Sequence, residues 1–236
     1  MPLSLCHISK EFDGLKVLED LTLEVKENTL TCILGPSGSG KTTLLNIIAG
    51  IIEPDAGEMV GFAGHRISYI FQETRLLKWK TVRGNLDFVL KDHLSPSARQ
   101  QTISHYLQLV GLEEFQNYYP EKLSGGMKQR VSLARAFAYP AEILLMDEPF
   151  VGLDLGLKLS LMHSFLDLWL AERRSTFFVT HDIQEALFLG EEVFVLTHRP
   201  GRIKGHLTID IPHRERSLQR QEMADLQETL YRLLTE

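Results

Sequence analysis

Leu30–Thr43 reads LTCILGPSGSGKTT. The apolar stretch Leu30-Thr31-Cys32-Ile33-Leu34 runs straight into a glycine-rich turn. From Thr42 apolar residues recur at helical spacing, with Leu44, Leu45, Ile47, Ile48 and Ile51 on one face that ends near Gly50 and Pro54. Strand, glycine loop and helix in this order are the context in which GxxxxGK[ST] holds nucleotide phosphates, and Gly35, Gly40, Lys41 and Thr42 fill its fixed positions. Glycines let successive N–H groups turn toward phosphate oxygens, where the helix N-terminus adds positive potential. The ATP-binding loop is therefore expected to comprise Gly35, Pro36, Ser37, Gly38, Ser39, Gly40, Lys41, Thr42 and Thr43. Within it Lys41 reaches the β- and γ-phosphates and the Thr42 hydroxyl ligates Mg²⁺.

Upstream, Leu3 to Ile8 and Val17 to Val25 alternate apolar and polar around the turn residues Asp13-Gly14, which predicts an antiparallel β region. Downstream, a short β stretch surrounds Ile67 to Phe71, and helical patterning follows from about Val82 to Ala138. Glu142 to Met146 and Thr176 to Val179 read as buried parallel strands separated by a helix over Leu157 to Leu170, with a further strand at Val193 to Thr197. The fold class expected is α/β: a P-loop core with a parallel sheet, an antiparallel β subdomain and a helical subdomain at about residues 73–138. Residues 1–212 form the main domain, and 213–236 a C-terminal helical extension whose Met223, Leu226, Leu230 and Leu233 make a packing face.

Twenty-five basic against 31 acidic residues leave a formal charge of −6, which gives no general attraction to nucleic acid or to an anionic membrane. The cluster Arg199, Arg202, Lys204, Arg214, Arg216 and Arg220 is interspersed with Asp210 and Glu215 and lacks aromatic interleaving, so it reads as solvated surface. No apolar run approaches the ~20 residues that cross a bilayer, and the N-terminal sequence has no secretory pattern. Cys6 and Cys32 have no CxxC or metal-ligand spacing and read as thiols, and the histidines form no zinc set.

A phosphate loop needs a second metal partner. In EILLMDEP a buried strand ends at Asp147, whose carboxylate can hold Mg²⁺, and Glu148 follows, placed to polarise an attacking water. Hydrolysis of the triphosphate is thus expected. A second glycine turn, Ser124-Gly125-Gly126 in EKLSGGMKQRVSLARA, opens another helix and is a natural anion site.

The LSGG turn resembles the signature motif of ABC ATPases, and with the P-loop and ILLMDEP it completes that family's pattern in order from Phe12 to His181. The resemblance implies that the signature loop of one subunit, Ser124 to Gly126, closes over ATP held by the P-loop of the other, so a homodimer with two ATP sites is expected. It also implies roles for Phe12 as the aromatic stacked on adenine, Gln72 as the glutamine that senses Mg²⁺ and the attacking water, and His181 as the switch histidine at the γ-phosphate. The sequence departs from the pattern at Val151 and Gly152 in PFVGLD, where a coupling hydroxyl is missing and cross-talk between the two sites is altered. Glu27-Asn28 replaces the usual glycine-glutamate turn, a neutral change because Asn tolerates the left-handed region.

Only a short segment separates Gln72 from Ser124, leaving no room for the coiled-coil arms of DNA-acting members, and one P-loop argues against the tandem-cassette translation factors. A transporter subunit remains, with a soluble ABC ATPase working on a protein or nucleic-acid assembly as the alternative. Leu76, Leu77 and Trp79 in ETRLLKWKTVRGNLDF fit a groove for a short permease helix. The runs FQETRLLKWKTVRGNL and VLTHRPGRI are similar to those in the ATPases of nitrate, sulfonate and taurine importers. That likeness implies integral permease subunits, a solute-binding protein, no nucleic acid, and a peripheral position on the cytoplasmic face of the inner or plasma membrane.

Overall fold

The structure is a computed structural model that describes residues 2–217 and 220–235; positions 218, 219 and 236 of the expected C-terminal extension lie outside the described residues. The chain divides into two units, one of Met1–His65, Leu145–Glu148 and Arg174–Glu236, the other of Arg66–Leu144 and Pro149–Arg173.

In the first unit β1 (Leu3–Phe12), β2 (Leu15–Val25) and β4 (Ala56–Val60) form an antiparallel sheet of order β2-β1-β4. Asp13 and Gly14 join β1 to β2 with φ of 50° and 81°, the twist that a two-residue hairpin requires. Alternation slips once on each strand, from Leu5 to Ile8 and from Leu18 to Leu21. His7 and Asp20 absorb the slip at φ 55° and 52° and face each other through an Nδ1···Oδ1 contact of 2.6 Å. Strand β4 has no apolar alternation that would mark it in the sequence. Its burial is slight and its identity lies in backbone approach: a Cβ on Gly57 would stand 2.4 Å from the Cys6 carbonyl oxygen.

The larger sheet has the order β5-β6-β7-β3-β8-β9, from β5 (Ile67–Ile70), β6 (Ile143–Asp147), β7 (Ser175–Thr180), β3 (Leu30–Leu34), β8 (Glu192–Leu196) and β9 (Ile203–Thr208). Strand β3 is flanked in parallel by β7 and β8, and β9 closes the edge antiparallel to β8. Every residue of β3, β6, β7 and β8 is buried, the reason these strands read as continuous apolar runs rather than alternations. Strand β9, half-exposed at the edge, carries no such run and went unread.

Helix α1 (Lys41–Ile48) buries Leu44, Leu45, Ile47 and Ile48. Ile51, expected on the same face, is 60% exposed. Gly50, at φ 68°, ends the helix first, with its N–H on Ile47 O and that of Ile51 on Asn46 O. Helix α6 (Ile183–Leu189) packs on β3 and β7, and α7 (Gln221–Thr235) on α6 and β8. Helix α7 buries Met223 and Leu230 fully and Leu226 and Leu233 in part.

One member of the basic cluster is not solvated surface. The Arg216 guanidinium donates to the carbonyls of Leu187, Phe188, Gly190, Ile209 and Ile211, at 2.7–3.4 Å. It thereby satisfies the C-terminal carbonyls of α6. Burial pulls its pKa down to about 10, so it stays charged at neutral pH. Arg202 pairs with Glu19 and Arg220 with Glu215 on the surface, as a solvated cluster should.

The second unit holds α2 (Val82–Leu90), α3 (Pro96–Leu109), α4 (Gly125–Ala138) and α5 (Leu155–Ala171), with α4 touching the other three and β5. The expected helical tract is thus three helices, interrupted by 3-10 turns at Glu113–Phe115 and Pro120–Lys122. Thr81, Ser95, Ser124 and Asp154 cap the helices, each side chain accepting from the amide three residues on. Buried Asn85 bonds Leu77 N and O, Lys80 O and Thr81 O, which fixes the approach to α2.

Candidate active site

The first unit brings five of the expected site residues together. Between β3 and α1 the loop turns at Gly38 and Gly40, φ 79° and 96°; a Cβ on Gly40 would stand 2.7 Å from Leu18 Cδ2. The buried Lys41 ammonium donates to Gly35 O (2.8 Å) and Pro36 O (3.0 Å) and lies 3.3 Å from Glu148 Oε1. Thr42 Oγ1 donates to Asp147 Oδ1 at 3.0 Å, and Glu148 Oε2 lies 3.0 Å from His181 Nδ1.

The end of β7 anchors the loop and Glu148; the sequence places a buried strand before His181 but assigns no role to Thr180. Thr180 O accepts Gly35 N–H and Val179 O accepts Glu148 N–H, while Thr180 Oγ1 accepts Asp182 N–H and donates to the buried Glu185 carboxylate at 2.6 Å. A threonine in FFVTHD, polar at the end of a buried strand, was the available signal. Glu148 itself sits at φ 42°, a left-handed conformation that costs a non-glycine residue of order 1–3 kcal/mol and that clusters at working sites.

A triphosphate suits this arrangement. Ser39 Oγ is buried in the loop with no hydrogen-bond partner, and the Lys41 hydrogens rest on loop carbonyls that a phosphate can displace. The oxygens of Thr42 and Asp147 are the hard donors that Mg²⁺ takes beside substrate phosphates, a set smaller than an all-protein metal cage. Among the described residues no cluster of three or more His, Cys, Asp or Glu is placed to hold a metal.

Phe12, in the same unit, is 41% exposed, with Lys10 Nζ 5.3 Å from its ring centre. Gln72, Ser124, Gly125 and Gly126 belong to the second unit. Gln72 is exposed just past β5. Ser124 accepts the Met127 amide at 3.3 Å, and the two glycines divide their labour. A Cβ on Gly126 would meet Leu157 Cδ1 at 2.5 Å, so packing against α5 requires glycine there, whereas Gly125 faces open space.

A sequence profile described as ABC transporter matches residues 18–151, more than half of the chain. The chain belongs to the ABC transporter family. This ABC ATPase is 39% identical to the nitrate import ATP-binding protein of Synechocystis sp., over 90% of this chain and 84% of that one. It is also 39% identical to the taurine import ATP-binding protein of Roseobacter denitrificans, over 85% of this chain and 80% of that one. Among solved structures it resembles a dimeric ATP-binding cassette in a post-hydrolysis state bound to ADP and Pi, with TM-score 0.76 and 28% identity, covering 89% of this chain and all of the other. The ABC ATPase therefore binds and hydrolyses ATP on an α/β P-loop fold, as the subunit of a transporter that has import proteins among its relatives. Among the described residues no helix is long and apolar enough to cross a membrane.

Proposed function

We propose that the ABC ATPase powers import of a small solute of the nitrate, sulfonate or taurine class, as a homodimer whose closure on ATP moves two integral permease subunits. The observation that carries the ATPase chemistry is the convergence of Lys41, Thr42, Asp147, Glu148 and His181 at the end of the parallel sheet. Lys41 leaves the Gly35 and Pro36 carbonyls for the β- and γ-phosphates, which frees Glu148 from its ion pair. Glu148 then takes a proton from the attacking water, held in place by His181. Thr42 Oγ1 and Asp147 would hold Mg²⁺, with Gln72 as a further ligand or sensor, and the ion would supply neutralisation of phosphate charge. Phe12 stacks on adenine, and Ser124 to Gly126 of the partner copy complete the site across the dimer. ATP drives closure because only the closed dimer offers it both loops, and loss of the γ-phosphate removes that difference.

A permease contact is supported by exposure. Trp79 is 73% and Phe88 44% exposed, and a cavity of about 530 Å³ nearby is lined by Glu73, Leu76, Lys78, Glu121 and Lys128. Apolar anchors among charges suit a short helix laid in a groove. Residues 1–212 act as the ATPase domain, with 73–138 as its helical subdomain and 213–236 as an extension. The subunit sits peripherally on the cytoplasmic face of the inner or plasma membrane, and a solute-binding protein delivers the solute.

Host cells lacking the ABC ATPase should lose energised uptake of nitrate, an alkanesulfonate or taurine. The unaltered chain should restore it, while Trp79→Ser restores purified ATPase activity but not uptake. Normal uptake of all three without the chain would sink the solute class, and full uptake with Trp79→Ser would sink the permease contact.

A further inference from the structure

The turn after β8, Thr197–Ile203, has the sequence THRPGRI, and nothing in the mechanism above uses it. It is built against the phosphate loop. Gly201 N–H donates to Val17 O at 2.8 Å, Gly201 O accepts Glu19 N–H at 3.1 Å, and Thr197 Oγ1 ties the turn to itself through Pro200 O and Arg202 N. Arg202 adds an ion pair to Glu19, whose carboxyl the hydrogen bonds from Lys16 and Arg202 hold down at about 2. Strand β2 thereby fixes the turn from one side.

On its other side the turn touches two successive loop carbonyls. Arg199 Nε donates to Gly38 O at 3.2 Å, and Ser39 O comes so near that a Cβ on Gly201 would stand 2.2 Å from it. In a trans peptide the C=O and the next N–H point opposite ways. The Gly38–Ser39 peptide is thus held at both ends, its oxygen by Arg199 and its Ser39 N–H by Pro36 O at 3.2 Å. The Ser39 carbonyl faces Gly201, so the Gly40 N–H in that same peptide faces away from the turn.

We propose that the Thr197–Arg202 turn is the outer wall of the phosphate loop, and that Arg199 is a positioning residue for the triphosphate. Arg199 pins the Gly38 carbonyl outward, while Gly201 sets the Ser39 carbonyl so that the Gly40 amide faces away from the wall. This fixes the loop's course around the phosphates, and the Arg199 guanidinium adds positive potential beside them. The inference rests on residues 35–43 being the phosphate loop.

The test compares Arg199→Met, Arg199→Lys and Lys41→Ala with the unaltered chain by calorimetric titration with ATP, steady-state hydrolysis and urea unfolding. Arg199→Met should weaken ATP binding and raise KM about tenfold, the loss of roughly one charge-assisted hydrogen bond. Its kcat should stay within about threefold and its urea midpoint should not move. Arg199→Lys, which keeps charge and a donor, should recover most of the affinity. ATP binding by Arg199→Met equal to that of the unaltered chain, while Lys41→Ala loses it, would overturn the inference and leave the loop intact. So would an affinity loss that tracks a lower urea midpoint and is not rescued by lysine. Full binding by Lys41→Ala would instead remove the phosphate-loop assignment beneath both.

Discussion

Lys41 and Glu148 form an ion pair at 3.3 Å that ATP would break in the proposed mechanism, since the ammonium cannot serve the carboxylate and the γ-phosphate equally. Glu148→Gln removes that competition and the proposed base together. Its turnover should fall at least ~100-fold, within the range a general base supplies, while ATP affinity holds or rises; phosphate release and titration would measure the two. Turnover near that of the unaltered chain would exclude Glu148 as the base. Asn28 sits at φ 58° with its N–H on Ser175 Oγ at 2.9 Å. That conformation costs other L-residues about 1–2 kcal/mol, so Asn28→Ala should lower stability by about 1 kcal/mol in urea, and Asn28→Gly by much less. An equal loss for both would deny the backbone origin. Asparagine announced its left-handed turn in the sequence. Glu148 did not, because nothing in a glutamate side chain favours φ of 42°, and only packing shows it.

Elements whose burial and periodicity agree were legible. Strands β3, β6, β7 and β8 are buried throughout, and α1 and α5 lie within a few residues of their expected bounds. Strands β4 and β9 were not legible, since one is defined by glycine approach and the other by pairing at a half-exposed edge. Arg216 shows the same limit from the charged side: its neighbours in sequence are solvated, yet tertiary structure turns it inward to cap α6. Removing it leaves several carbonyls without their charged donor, so Arg216→Met should destabilise the fold by about 3 kcal/mol. Urea unfolding would show this, whereas Arg214→Met, at an exposed neighbour, should change stability by less than about 0.5 kcal/mol. Equal effects would return Arg216 to the surface.

On the scale of the whole molecule, one chain carries two glycine turns, and the proposed site takes one from each of two copies. The loop at Gly35–Thr43 has an orphaned hydroxyl and a displaceable lysine, while at Ser124–Gly126 Gly125 faces open space and Gly126 is fixed by Leu157. The motifs themselves were visible in sequence, with Ser124–Gly126 expected in a helical subdomain at about 73–138, whereas the grouping of Pro149–Arg173 with that turn in one unit was not. In the proposed dimer each copy supplies both a donor and a receiver, so that two copies satisfy each other. Hydrolysis should then need the pair. The most direct test is the initial rate of ATP hydrolysis by the purified protein against its own concentration. The dimer account predicts a rate that rises more steeply than linearly at low concentration and becomes proportional once dimers form. A rate proportional to concentration throughout, from a species that stays at the 26.9 kDa of one chain in ATP, would contradict it.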